Sequence, residues 1–227
     1  MDFKGTLIYR TLATAKRSVS VVKTLFLAQG FLRSAVGTRP VDALGRPIPW
    51  FTYPAVEYLK QFDFSDRRVF EYGAGNSSLF WAQRAKEVWA VESDRQWFEQ
   101  VSRLCPSNLF LLLETAKDDY VSSIGKAGGK FDVIVIDGRW RNACADVCAL
   151  HLADHGIIVF DNSDRRYEGC DRLREQGFFE IDFSGFSPVN GYASTTSVFI
   201  RAPAALQSGF SPPQPVGGLG ERAGSDD

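Results

Sequence analysis

Two histidines, four cysteines and a net charge of only −1 over 227 residues narrow the field before any motif is read. His151 and His155 both flank the approach to one predicted strand, so a histidine-based centre at a ligand-binding rim is not expected. Cys105, Cys144, Cys148 and Cys170 are scattered through predicted core elements rather than loops. That usage suits a reduced, cytoplasmic setting and excludes a disulfide scaffold. With neither sign of charge in excess, nothing calls for nucleic acid or a strongly acidic partner. Long apolar runs are missing as well. The run Val19, Val21, Val22, Leu25, Phe26, Leu27, Phe31, Leu32 is interrupted by Lys23, and it falls short of the roughly 20 residues a spanning helix needs. The same lysine, with no small-x-small site after it, speaks against a cleaved signal peptide.

Acid is the other absence in this region. Lys4, Arg10, Lys16, Arg17, Lys23, Arg33 and Arg39 face Asp2 alone. Residues 1–40 therefore read as a basic amphipathic helical extension. The first expectation is a helix packed on the domain; peripheral contact with an anionic membrane surface is the alternative. Residues 41–202 form one domain, large enough to build a core without metal or disulfide staples. From 203 onward the chain is rich in Pro, Gly and Ser, lacks periodic apolar residues, and reads as a disordered tail.

What is present between these ends is an alternation. Short β-branched or aromatic runs at 67–72, 87–92, 109–113, 131–136 and 156–160 alternate with helical segments near 77–86, 97–104, 119–124, 142–153 and 164–175. Two more runs follow, at 178–183 and 195–201, without a good helix between them. Five strand–helix alternations predict right-handed crossovers and a mostly parallel sheet. The last two strands predict a hairpin. The expected fold is thus a single doubly wound, Rossmann-like α/β domain. Its seven-stranded sheet is mostly parallel, with one antiparallel strand near the C-terminus. The runs FDVIVI and GIIVF are apolar throughout, as strands buried on both faces are. Ligands in such sheets bind beyond the carboxyl ends of the strands, at the switch in strand order.

At the first such end lies Val69-Phe70-Glu71-Tyr72-Gly73-Ala74-Gly75-Asn76-Ser77-Ser78. Gly73 and Gly75 allow a tight turn and a close backbone approach to a ligand. A dinucleotide fingerprint would carry a third glycine, where this chain has Ser78. It also has an acid, Glu71, just ahead of the turn. A fixed carboxylate there disfavours a pyrophosphate and suits a cation, such as the sulfonium and amino groups of S-adenosylmethionine. Ser77 or Ser78 also suits a helix cap. The second strand ends in Glu92, placed to accept ribose hydroxyls.

FEYGAGNSS, Glu92 after the next strand and FDVIVIDG further on together resemble the class I S-adenosylmethionine-dependent methyltransferase family, over roughly residues 50–201. The resemblance implies a methyltransferase with Glu71, Gly73, Gly75, Asn76 and Ser77 at the methionine end of the cofactor and Glu92 at the ribose. It also implies an acid after the third strand near the adenine, with Asp119 the candidate and Glu114 and Asp118 not separable from it. Asp137 is added to the cofactor's surroundings.

The fourth and fifth strands end in Asp137 and in Asp161-Asn162, three hard oxygen donors of a kind that suits Mg²⁺. This arrangement resembles catechol-type and macrocin-type O-methyltransferases, which implies Asp137, Asp161 and Asn162 as metal ligands and a small hydroxylated acceptor. The catechol pattern places a lysine base soon after its first Asp; here the segment is Gly138-Arg139-Trp140-Arg141. Arginine is a poor base. Arg139 and Arg141 instead suit an anionic acceptor, with Trp140 stacking on acceptor or adenine. Without a metal, Asp137 and Asp161 orient the acceptor or supply the base, with Asp164 a further candidate. Trp81, Trp89 and Trp97 are expected in the core. Residues 47–54 read as a lid or a packed linker, and 185–194 as a wall of the acceptor pocket. The expected function is transfer of a methyl group to a small acceptor, preferably a hydroxyl. Its alternatives are N-methylation without metal, a nicotinamide-dependent oxidoreductase and a non-catalytic nucleotide-binding protein.

Overall fold

The computed structural model describes residues 7–201; the tail from 203 and the charges at Asp2 and Lys4 lie outside the described residues. The strands are β1 (Arg68–Tyr72), β2 (Glu87–Glu92), β3 (Leu109–Leu113), β4 (Phe131–Ile136), β5 (Leu152–Asp161), β6 (Phe178–Phe186) and β7 (Ala193–Arg201). They form one sheet in the order β3-β2-β1-β4-β5-β7-β6. Strands β1 to β5 pair in parallel, while β7 runs antiparallel to both its neighbours. The expected terminal hairpin is therefore present, with β7 inserted between β5 and β6.

Helices α4 (Asn76–Ala82), α5 (Arg95–Ser102), α6 (Lys117–Ser122), α7 (Arg141–Cys148) and α8 (Tyr167–Glu175) make the crossovers, and α3 (Tyr53–Lys60) precedes β1. The two faces of the sheet carry separate apolar clusters because side chains alternate along a strand. Val69, Val133 and Val159 pack with Phe51, Val56, Leu59, Phe80 and Trp81 on one side. Phe70, Tyr72, Ile134, Ile136 and Phe160 pack with Tyr120, Cys144, Cys148 and Leu173 on the other. The residues that leave the central strands at their carboxyl ends are thereby fixed in direction.

Strand β5 begins earlier than its apolar run. Leu152 already pairs with Phe131, and the register shifts before Val133 meets Ile157. The polar Asp154-His155 stretch sits in that irregularity, which hides the strand's first half from a pattern search.

The N-terminal helices depart from the packed arrangement expected for them. Helix α1 (Leu7–Lys23) runs on through a π-helical turn, Thr24–Ala28, and α2 (Phe31–Gly37) follows. From Tyr9 to Thr24 every residue except Ala13 is exposed. Contact with the domain starts only at Leu25 and Phe31, which rest against the core. Gly30 holds the bend: its φ is +82°, and a Cβ there would come within 2.4 Å of the Asp42 backbone. Ser34 then fastens α2, donating to the Val41 carbonyl at 2.8 Å and accepting from the Val41 amide at 3.0 Å. No single described helix is long and apolar enough to cross a membrane.

Candidate functional site

Strand order reverses between β1 and β4, and a cavity of about 540 Å³ opens there at the carboxyl ends. Its wall includes Gly73, Ala74, Gly75, Asn76, Ser77, Glu92, Asp137, Asp161 and Asn162, all reached from strand ends separated in sequence. Thr38, Arg39 and Pro40 close one side, where Asn76 Nδ2 donates to the Pro40 carbonyl at 2.7 Å. Trp50, Arg165, Asn190 and Tyr192 close another.

The glycine turn is built so that its amides face inward. Gly73 N–H donates to the Val91 carbonyl at 2.9 Å, Ala74 N–H to Glu92 Oε2 at 3.2 Å, and Gly75 N–H to Ser78 Oγ at 3.1 Å. All three donors are thus consumed within the protein. A diphosphate needs such donors pointed at it. A cation does not. Gly73 adopts φ +99° and lies against Gly138, where an added Cβ would meet Tyr120 Oη at 2.0 Å and Gly73 N at 2.8 Å. The turns after β1 and β4 are therefore in backbone contact, and only glycine fits at 138.

Glu71 lies one layer below the wall rather than in it. It is fully buried, because its place in β1 aims it at α4, where Ser78 Oγ donates to its Oε2. Burial pushes its carboxyl up to about 8, against the opposing hydrogen bonds from Ser77 and Ser78, and nearby Asp137 and Glu92 add to the rise. Glu92 does reach the cavity. Its Oε1 accepts from the amides of Ser93 at 2.7 Å and Asp94 at 2.8 Å, which fixes the carboxylate before any ligand arrives.

Asp137 and Asp161 meet at the far end of the cavity. Burial raises both carboxyls; the Asp137 charge raises Asp161 further, while a hydrogen bond from Asp161 favours the ionised form of Asp137, so the pair resists holding two negative charges. Arg141 spans them. Its Nε donates to the Gly138 carbonyl at 2.9 Å, and its Nη2 to the Asp137 carbonyl at 2.9 Å and to Asp137 Oδ1 at 3.0 Å. Its Nη1 reaches the Asp161 carbonyl and Asn162 Oδ1. The other anchor on Asp161 is Thr196 Oγ1, which donates to Oδ1 at 2.5 Å and itself accepts from the Thr52 amide at 3.0 Å.

This donor set does not fit the Mg²⁺ that the sequence pattern implies. A guanidinium already stands between Asp137 and Asn162, and the Asp161 carboxyl is held by Thr196.

Several other sequence expectations change place. Trp140 is not on the rim: it adopts φ +51° and packs beneath it, edge-on to Tyr120 at 5.2 Å. Arg139 lies over the outer face of that indole at 5.0 Å, is exposed, and has no part in the cavity wall. Of the three residues proposed for the acceptor, only Arg141 lines the cavity, with its nitrogens already engaged. Asp119 is exposed on α6 and outside the wall. Glu114 pairs with Lys126. Asp164 accepts from the Thr195 amide at 2.9 Å, away from the cavity.

Trp97, expected in the core, is the tryptophan at the rim. It is 37% exposed, and its indole N–H donates to the Ala74 carbonyl at 2.5 Å, covering the glycine turn. Trp81 is buried, as expected, and Trp89 stacks on Phe110 at 4.8 Å. The 47–54 segment divides: Trp50 lines the cavity while Phe51 and Tyr53 join the core. From 185–194, Asn190 and Tyr192 form wall. Thr38, Arg39, Pro40 and Arg165 were not foreseen. The glycine turn after β1 carried no sign that its Asn76 would bind a distant carbonyl.

No family model and no curated protein matches this sequence. Solved structures do. The chain is similar to precorrin-6y C5,15-methyltransferase from Geobacter metallireducens, with a TM-score of 0.53 and 15% identity over 66% of this chain and 87% of that one. It is similar also to a methyltransferase from Pyrococcus furiosus, at 0.50 and 20% over 67% and 84%. An rRNA methylase from Streptococcus thermophilus matches at 0.50 and 14% over 66% and 97%. The fold is that of the class I S-adenosylmethionine-dependent methyltransferases.

Proposed function

We propose that the protein is an S-adenosylmethionine-dependent methyltransferase acting on a hydroxyl of a small acceptor without a metal. The observation that carries this reading is the inward use of all three turn amides beside a preset Glu92 carboxylate. Such a turn withholds these three amides from a diphosphate and leaves a surface compatible with a sulfonium. The cavity volume also suits a cofactor of this size with a small acceptor beside it. When bound, the cofactor supplies a methyl group on positive sulfur, open to in-line displacement.

The chain's own residues then divide the work. Glu92 accepts from the ribose hydroxyls with the lone pairs that Ser93 and Asp94 leave free. Trp97 and Asn76 hold the turn and the 38–40 segment around the ligand. The Asp137–Asp161 pair carries one proton between two raised carboxyls and takes the acceptor's proton on its ionised member. Arg141 keeps the pair together and supplies the positive charge that a metal would otherwise bring. Alignment of hydroxyl and sulfur provides most of the acceleration. Arg165 and Arg39 both lie in the wall, Arg165 with its Nε 3.8 Å from Asp164 Oδ2; together they suit an acceptor that also bears a carboxylate or phosphate.

Transfer of label from S-adenosylmethionine to hydroxy acids, phenols and amines tests this, with chelator or with added Mg²⁺. Methylation of a hydroxylated anion, insensitive to chelation, is expected. Strict dependence on Mg²⁺, or transfer to amines alone, would contradict it.

A further inference from the structure

We infer that the N-terminal helix is a membrane-surface anchor for an anionic bilayer, independent of the reaction the cavity performs. The sequence admitted a helix packed on the domain, and the structure removes that reading: Tyr9 to Thr24 stand off the domain. Leu12, Ala15, Val19, Val22 and Phe26 recur at alternating spacings of three and four, which aligns them as one stripe along the helix. The stripe is uncovered, with Leu12 65% exposed and Val19 52%. On α2, beyond the bend, Leu32 and Val36 are exposed as well, at 48% and 81%. A soluble chain does not leave contiguous apolar surface of this kind in water without an occupant.

Charge decides which occupant. From residue 7 to residue 41 there is no Asp or Glu, while Arg10, Lys16, Arg17, Lys23, Arg33 and Arg39 are all basic. The spacing of the stripe would also suit a two-stranded coiled coil, but pairing two copies would bring these cations together with no acid on either side to answer them. An anionic lipid surface answers them directly. Lys16 and Lys23 follow the stripe at its flank, where their long stems allow the ammonium groups to reach headgroups while the apolar side chains enter the interface. Arg10 and Arg17 lie on the opposite side with Thr14, Val21 and Ser20, while Thr11 and Ser18 border the stripe on the flank away from the lysines. The 50° bend between Tyr9–Ala28 and Phe31–Gly37, together with Lys23 and Arg33 inside the apolar length, suits a helix lying in the interface rather than crossing it.

The anchor is joined to the site. Gly37 passes straight into Thr38, Arg39 and Pro40 of the cavity wall, and Ser34 and Asn76 tie this stretch to Val41 and Pro40. A docked helix therefore holds the cavity close to the bilayer surface.

The test uses the full chain and sedimentation with vesicles of phosphatidylcholine alone or mixed with phosphatidylglycerol, alongside sedimentation velocity without lipid. Binding to the mixed vesicles only, released by high salt, is expected. Replacing Lys16, Arg17 and Lys23 together by Gln keeps helix propensity and should weaken that binding by roughly 100-fold, at about 5-fold per charge. Leu12→Gln with Val19→Gln should abolish it, with S-adenosylmethionine binding as the control for folding. The charge variant separates the occupants, since loss of repulsion would strengthen self-association. An oligomer reinforced by the three Gln substitutions would overturn the inference. So would equal binding to neutral vesicles, binding that resists salt extraction, or no binding to either vesicle.

Discussion

Glu71→Gln probes the buried acid beneath the glycine turn. The folded protein holds this carboxyl at about 8, against an ordinary value of 4.5, chiefly because burial penalises the charged form. Between those two pH values the folded chain keeps a proton that the unfolded chain releases. The stability tied to that proton is fully present below about pH 4.5 and is lost as pH rises through 8. At about 1.4 kcal/mol for each pKa unit, the loss across the window approaches roughly 5 kcal/mol. Glutamine is uncharged throughout and accepts the same Ser78 hydroxyl. The stability difference, variant minus wild type, should therefore climb by about 1.4 kcal/mol for each pH unit inside the window and flatten outside it. Urea denaturation of both proteins at intervals across this range measures that difference directly, and the other titrating groups largely cancel. A difference that does not change with pH would refute the reasoning, whatever its size.

Three further outcomes are expected. Gly138→Ala forces a Cβ within 2.0 Å of Tyr120 Oη and 2.8 Å of Gly73 N, so the melting temperature should fall, and adding Tyr120→Phe should restore only part because the backbone clash remains. Glu92→Ala should weaken S-adenosylmethionine binding by about 1–3 kcal/mol in a titration; unchanged affinity would mean the ribose lies elsewhere. Arg141→Met strands two facing carboxyls without their cation and should cost about 3–5 kcal/mol in denaturation. Mg²⁺ should then stabilise this variant and leave the wild type unaffected, and an equal response from both would contradict the account of Arg141.

Much of the sheet was legible because short β-branched, aromatic or aliphatic runs between helical segments leave a simple mark. The apolar runs 87–92, 109–113 and 131–136 coincide with β2, β3 and β4 residue for residue. Where a polar insertion interrupts the run, as at Asp154-His155, the strand start was hidden. Residues at strand ends were also legible, since the fold rule places Glu92, Asp137 and Asp161 at the rim without further information. Side-chain direction was not. Glu71 precedes the turn by two residues, yet the alternation of β1 sends it toward α4 and under the wall. Trp97 and Trp140 exchanged their expected roles for the same reason: one sits on a helix face turned toward Ala74, the other takes a left-handed backbone that drops it onto Tyr120. Arg39 and Pro40 could be found only through their contact with Asn76, a pairing with no local signal. The exposure of α1 was equally invisible, because an amphipathic stripe looks alike whether a core or a bilayer covers it.

Ligand choice follows from the glycine turn, whose Gly73, Ala74 and Gly75 amides are spent inside the protein. Calorimetric titration of the wild type with S-adenosylmethionine, S-adenosylhomocysteine and NADH tests it most directly. The two sulfur ligands should bind and NADH should give no heat of binding. Saturable binding of NADH, with neither sulfur ligand taken up, would contradict it.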